Sequence, residues 1–179
     1  MGTMLHARGV AFTQSFDELN LSDPAAVADI HRAYIEAGAG LIETNTFGAN
    51  RFKLAAHGLE DQVAAINRAA VTLARKVVEA SFRPVFIGGS VGPLGVRLAP
   101  FGRVRPEQAF AAFQEQIAAL VQAGVDALFI ETQSDLYEVK EAVRAARSVS
   151  ATVPLVATLT FTRDDRTLLG DSPAKAAAE

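Results

Sequence analysis

An α/β fold built on a parallel sheet is what this sequence predicts, and three observations carry the prediction. Four short apolar runs, Leu41-Ile42-Glu43, Pro84-Val85-Phe86-Ile87, Ala127-Leu128-Phe129-Ile130 and Pro154 to Thr160, lack the strict alternation of a half-solvated antiparallel strand. Each of the first three is followed by a segment with helical signals, long enough to cross back over a sheet. Half of the 179 residues are hydrophobic and 21% are charged, which suits one soluble unit with a sizeable core.

The elements follow in order. Met1-Gly2-Thr3 reads as a loop or the start of a helix with no strand ahead of it. Asp23-Pro24 opens a helix running to about Ala37, because an N-cap oxygen precedes a proline whose missing N–H costs nothing at the first helical position. After Gly38-Ala39-Gly40 the first strand ends abruptly in Thr44-Asn45-Thr46, and a helix spans about Asp61 to Ser81. The second strand leads into a glycine-punctuated loop, Gly88 to Gly95, then a helix from Pro106 to about Ala123, with Glu107 suiting the dipole at its first turn. Asp135, with Glu138 three residues on, is a capping-box pattern opening a helix to about Arg147. The fourth strand follows, and a further helix begins at Ser172-Pro173.

A weak internal repeat sharpens the architecture. Ala37-Gly38 leads into Ile42-Glu43-Thr44, and Ala123-Gly124 leads into Ile130-Glu131-Thr132, so two strands end in Ile-Glu-Thr after similar helix exits. Repeated units with polar strand ends suit a barrel, yet a complete (β/α)8 barrel takes about 250 residues. Residues 1–179 are therefore expected to form one incomplete barrel domain, a partial (β/α)8 TIM barrel with about strands 2 to 5 and their helices, lacking the first strand and the last three units.

Composition excludes several classes. A formal net charge of -3 and no Lys/Arg-rich run leave nothing to neutralise a phosphate backbone, so nucleic acid is not expected as a partner. No stretch approaches the roughly 20 apolar residues of a membrane span, and the first residues lack the plan of a signal peptide, so no membrane partner and a cytoplasmic location are expected. With no cysteine, and with His6, His31 and His57 in no paired spacing, no metal ligands are assigned within the chain.

In a parallel barrel the loops after the strands form the active site, so Glu43-Thr44-Asn45-Thr46, Ser90 with Gly92, Glu131-Thr132 and Thr160-Phe161-Thr162 should converge on one mouth. Serine, threonine and asparagine there can equally cap helices or close turns. Glu43 and Glu131 are harder to explain structurally, because a carboxylate at a buried strand end is costly unless paired; a ligand ammonium, an internal arginine or a helix N-terminus would serve. The glycine-rich loop matches neither a dinucleotide fingerprint nor a P-loop, and tight turning is its expected role. Arg97, Arg103 and Arg105 could draw a carboxylated ligand, although a solvated surface is the commoner use of such a group. Another barrel enzyme, with a Schiff-base lysine, would want that lysine on a strand; Lys53, Lys76, Lys140 and Lys175 all fall outside the strands.

Met1-Gly2-Thr3-Met4-Leu5, Glu18-Leu19-Asn20-Leu21, the block Glu43 to Arg51, Gly89-Ser90-Val91-Gly92-Pro93 and Glu131-Thr132 together resemble the homocysteine S-methyltransferase family over essentially the whole chain. The likeness is to the homocysteine-binding domain of bacterial methionine synthases and of proteins fusing it to a methylenetetrahydrofolate reductase. It implies a barrel in which zinc, on three cysteine thiolates, holds the homocysteine sulfur ionised for attack on a methyl group. Those cysteines belong late in the barrel and do not occur here, so no catalytic residue is assigned. The resemblance places the homocysteine amino group on Glu131, Gly2 and Thr3 beside the substrate, and Thr44, Asn45 and Thr46 in the site loop of the next strand. The methyl donor stays open, with methylcobalamin and a methyltetrahydrofolate among the candidates. An alternative expectation is a non-catalytic half barrel that binds ligand weakly or self-associates through uncovered barrel edges.

Overall fold

The computed structural model describes all residues, 1–179, as a four-stranded parallel sheet in the order β1-β2-β3-β4, with helices between successive strands. The strands are β1 (Leu41–Glu43), β2 (Phe86–Val91), β3 (Ala127–Gln133) and β4 (Leu155–Leu159). Ahead of the sheet lie α1 (Gly2–Ala7), α2 (Leu19–Ser22) and α3 (Pro24–Glu36). Between β1 and β2 run α4 (Arg51–Ala55) and α5 (Val63–Ser81), followed by α6 (Pro106–Ala123), α7 (Leu136–Val149) and, after β4, α8 (Pro173–Ala178). Strands paired in chain order, each returning through a helix, make the partial (β/α)8 barrel that the repeat implies.

One face of the sheet carries the core. Ile42, Ile87, Val91, Leu128 and Ile130 are buried beneath the helices, and α5 presents Val63, Ile66, Ala70, Val71, Ala74, Val77 and Val78 at helical spacing. Phe113, Ile117 and Leu120 of α6 are fully buried in the largest cluster, each worth about 1.5–3 kcal/mol of transfer free energy. The opposite face is more open: Leu41, Phe86 and Val156 are exposed. No helix is long and apolar enough to cross a membrane.

Several expectations shift. β2 begins two residues later than Pro84 and runs through Gly88, Gly89 and Ser90, which the sequence assigns to a loop. These glycines are close-packing strand positions: a Cβ at Gly88 would stand 2.7 Å from the Phe129 ring, and one at Gly89 would stand 3.2 Å from Leu120 and Leu128. Asp135 caps α7 as expected, accepting from the Tyr137 N–H at 2.8 Å, but Glu138 does not close a capping box. Its carboxyl turns inward and accepts the Leu94 N–H at 2.6 Å instead. The short helices α2 and α4 carry no expected signal except Asn50, whose side chain accepts from the Phe52 and Lys53 amides and starts α4.

α3 is capped by Asp23, which accepts from the Ala26 N–H, and buries Val27, Ile30, His31 and Ile35 along one stripe. His31 is only 2% exposed and its Nε2 has no hydrogen-bond partner. Burial disfavours the imidazolium, aided by the positive α-amino group of Met1, and lowers its pKa from 6.5 to about 4. The unfolded chain therefore takes up this proton first; the stability that neutral His31 confers is complete above 6.5 and is lost as pH falls toward 4. Between about pH 7.5 and about pH 5 the loss through this residue is about 2 kcal/mol. Urea unfolding of the wild type and of His31→Leu at the two pH values should differ by that amount, since all other groups act on both proteins alike. Equal pH dependence of the two would show that His31 is not held neutral.

Candidate functional site

The strand ends of β1, β2 and β3 open on a cavity of about 900 Å³. Its wall is completed by α1, by the segment Phe12 to Asp17, by α3 and by α4. Among the residues singled out by sequence, Gly2, Glu43, Thr44, Asn45, Thr46, Ser90 and Glu131 line it. Thr3 does not: α1 is a helix rather than a loop, and its second residue is exposed. Gly2 sits against Phe16, where a Cβ would meet the ring at 3.2 Å. Thr132 and Thr160 to Thr162 also lie outside the lining, with Thr132 exposed at a φ of 59°. Arg97, Arg103 and Arg105 are all exposed and away from the cavity, which is the solvated-surface role.

The loop after β1 is locked by its own polar side chains. Thr46 Oγ1 donates to the Ser90 carbonyl at 2.7 Å, so its single proton is spent, and Thr44 is the donor in the 2.6 Å contact between the two threonine hydroxyls. Thr44 Oγ1 in turn accepts the Ser90 N–H at 3.1 Å. Asn45 Nδ2 donates to the Phe16 carbonyl, Asn20 donates to the Asn45 carbonyl and Gln116 donates to the Thr46 carbonyl, at 2.6, 2.7 and 2.7 Å. The side chains of Thr44, Asn45 and Thr46 thus set the shape of the wall, and most of their hydrogen-bonding capacity is used within the protein.

The free chemistry lies in the carboxyl groups. Ser90 Oγ donates to Glu131 Oε1 at 2.5 Å, fixing Glu131 at the end of β3. Glu43, at the end of β1, reaches toward Glu131 across β2, because the residue paired with it in register is Gly88, which has no side chain to intervene. Burial raises the Glu43 pKa, and the charge of Glu131 and a hydrogen bond to it raise it further; the Met1 α-amino group acts weakly the other way. Neither carboxyl forms an ion pair with a side chain of this protein.

A second charged cluster, Asp17 with Lys53, completes the wall. Asp17 accepts the Gly48 N–H at 2.8 Å, and burial raises its pKa despite that bond and nearby Lys53. Lys53 Nζ stands 4.5 Å over the Phe47 ring, and burial lowers its pKa although Asp17 and Glu138 oppose the shift. The bare backbone of Gly48 makes room for Asp17, whose Oδ2 would lie 2.6 Å from a Cβ there. A glycine in the Glu43 to Arg51 block was the one available signal, and it names no partner. His31 was legible in principle, as the histidine on the apolar stripe of α3.

The arrangement is an anionic pocket suited to a small cationic ligand. It is not a zinc site: the protein has no cysteine, and no three or more of its His, Asp and Glu side chains converge.

Comparison with known proteins agrees with this geometry. The profile of the family described as homocysteine S-methyltransferase matches residues 1–179. The methionine synthase of Mycobacterium leprae is 32% identical over 167 residues, 89% of this chain and 14% of that protein. That of Mycobacterium tuberculosis is 32% identical over 159 residues, 85% of this chain and 13% of that protein. Among solved structures, the Escherichia coli homocysteine methyltransferase MmuM in its oxidized form superposes with a TM-score of 0.86 at 26% identity, covering 99% of this chain and 66% of that one. Its metallated form gives 0.81 at 28% identity, covering 99% and 67%. The chain thus spans a small part of the methionine synthases and about two thirds of MmuM. With the family profile spanning its whole length and the same fold in MmuM, the chain belongs to the homocysteine S-methyltransferase family.

Proposed function

We propose that residues 1–179 form an incomplete homocysteine-binding barrel domain, part of a cytoplasmic enzyme that moves a methyl group to the homocysteine thiolate and releases methionine. The observation that carries this reading is Glu131: a half-buried carboxylate, held by Ser90, facing a cavity and lacking any side-chain cation. The Ser90 hydroxyl leaves acceptor positions on this carboxylate free, and a substrate ammonium would meet them. Gly2, Thr44, Asn45 and Thr46 then bound the space in which the amino acid lies, with Thr3 carried by the family resemblance alone.

Sulfur activation is a different matter. In the family the resemblance invokes, zinc on cysteine thiolates keeps the homocysteine sulfur ionised, and this chain offers no such ligands. No step of thiol activation or methyl transfer is assigned to its residues; what they do is bind and orient the amino acid. The donor, methylcobalamin or a methyltetrahydrofolate or another methyl compound, is not encoded in these side chains.

The test is kinetic, with the chain supplied together with any sequence that adjoins residues 1–179. Methionine formation from L-homocysteine, zinc and a panel of methyl donors is expected, and Glu131→Gln should raise the homocysteine KM by about 100-fold, as removal of one partner from a buried charge pair does. No methionine with any donor would sink the reaction, and an unchanged KM would remove Glu131 from the substrate.

A second reading has one observation in its favour. The outer edges of β1 and β4 are unpaired, and Phe86 on the open sheet face is 64% exposed. If the chain acts as a self-associating binding module, sedimentation velocity should show a dimer at micromolar concentration that Phe86→Lys weakens. A monomer at every concentration excludes that reading.

A further inference from the structure

Glu43 has no role in the function proposed above, yet it occupies the same cavity as Glu131. The two sit on β1 and β3, whose backbones are separated by two strand spacings, about 9–10 Å. Their side chains nevertheless face one cavity from the same side of the sheet, because β2 puts only Gly88 and Ser90 between them on that face. Space there is tight: a Cβ at Gly88 would stand 3.5 Å from Glu43 Cγ and 2.7 Å from the Phe129 ring. Burial and the neighbouring carboxylate both raise the Glu43 pKa, the direction in which a second charge in this space is disfavoured.

A second, independent observation marks the cavity as a ligand site. His31 lines it at 2% exposure, with an Nε2 that no group of the protein satisfies. Native proteins rarely leave such an atom unpaired without a ligand or water to meet it.

We propose that Glu43 and Glu131 act as one proton-sharing pair that exchanges its proton for the ammonium group of the ligand, making Glu43 a second binding carboxylate. The exchange forms and breaks no covalent bond apart from one O–H. The shared carboxylic proton leaves to solvent, both carboxylates become ionised, and the ammonium N–H groups donate to them in its place. Ser90 keeps donating to Glu131 throughout. Besides Glu131, the Met1 α-amino group acts on Glu43; His31 on α3, Lys53 on α4, Asp17 and His57 line the same cavity, and β2 carries no titratable residue. Affinity for an ammonium ligand should therefore fall about tenfold per pH unit below the upper midpoint of the pair.

This inference rests on Glu131 as the ammonium anchor, but its test does not need methyl transfer. Carboxyl 13C NMR on the 179-residue protein, labelled in its glutamates, should show Glu43 titrating above the ordinary glutamate range, and Glu131→Gln should bring that midpoint down. At a pH where the pair holds its proton, saturating propylammonium should ionise Glu43, and L-homocysteine should do so at lower concentration, while butyrate should not. Glu43→Gln should weaken propylammonium binding about tenfold and abolish its pH slope. Glu43 titrating independently of Glu131, or staying protonated up to 100-fold excess of propylammonium, overturns the proposal. If propylammonium ionises Glu43 and homocysteine shows no preference over it, the pair stands and the homocysteine reading is what fails.

Discussion

Three strands of the sheet meet at one residue. Ser90 gives its N–H to Thr44 and its carbonyl to Thr46, which ties the loop after β1 to β2, and its hydroxyl to Glu131, which ties β2 to β3. The wall built by Thr44 and Thr46 and the aim of Glu131 are both set from that junction. A parallel sheet makes such a junction possible: the strands run in one direction, so their polar ends arrive at the same edge. Ser90→Ala would leave the Glu131 carboxylate without its donor, while both backbone bonds of the junction would survive.

The cavity is built at a cost in stability. Asp17, Glu43 and Glu138 all have pKa values raised by burial, and the one lysine among them is itself desolvated. Each raised carboxyl pKa means that the folded state binds the proton more tightly than the unfolded chain. These groups therefore stabilise the fold least once the pH has risen above their folded values, the opposite sense to His31. A protein selected for stability alone would replace such groups by apolar ones of similar volume. Asp17, Glu43 and Lys53 gather around a single opening, which separates a ligand site from a satisfied core, whereas Glu138 lies behind it on the Leu94 amide.

The fold was largely legible, for specific reasons. The cap at Asp23-Pro24, the apolar runs ending in polar residues, and the Ile-Glu-Thr repeat each report a local rule, and the long helices and four strands form in the expected order, with β2 shifted toward the glycines that follow it. What escaped was set by contacts distant in sequence. Gly88 and Gly89 look like a turn until the Phe129 ring and Leu120 are known to press on them. Glu138 looks like a cap until Leu94 is found to need an acceptor. The cavity lining divides the same way: Glu131 and the threonine loop could be named from strand ends and resemblance and His31 from its stripe on α3, whereas Asp17 and Lys53 became visible only once the chain had folded around them. Thr3 shows the converse, a residue carried by a motif and turned outward by the helix it lies on.

The central claim is that the cavity at the ends of β1, β2 and β3 is where an amino acid binds, with Glu131 at its centre. The most direct measurement is a two-dimensional amide NMR map of the 179-residue protein titrated with L-homocysteine. The account expects saturable shifts confined to Glu43 through Gly48, Ser90 and Glu131, with the exposed stretch Arg97 to Arg105 unmoved. Shifts centred on that arginine stretch, or none up to millimolar ligand, would contradict it.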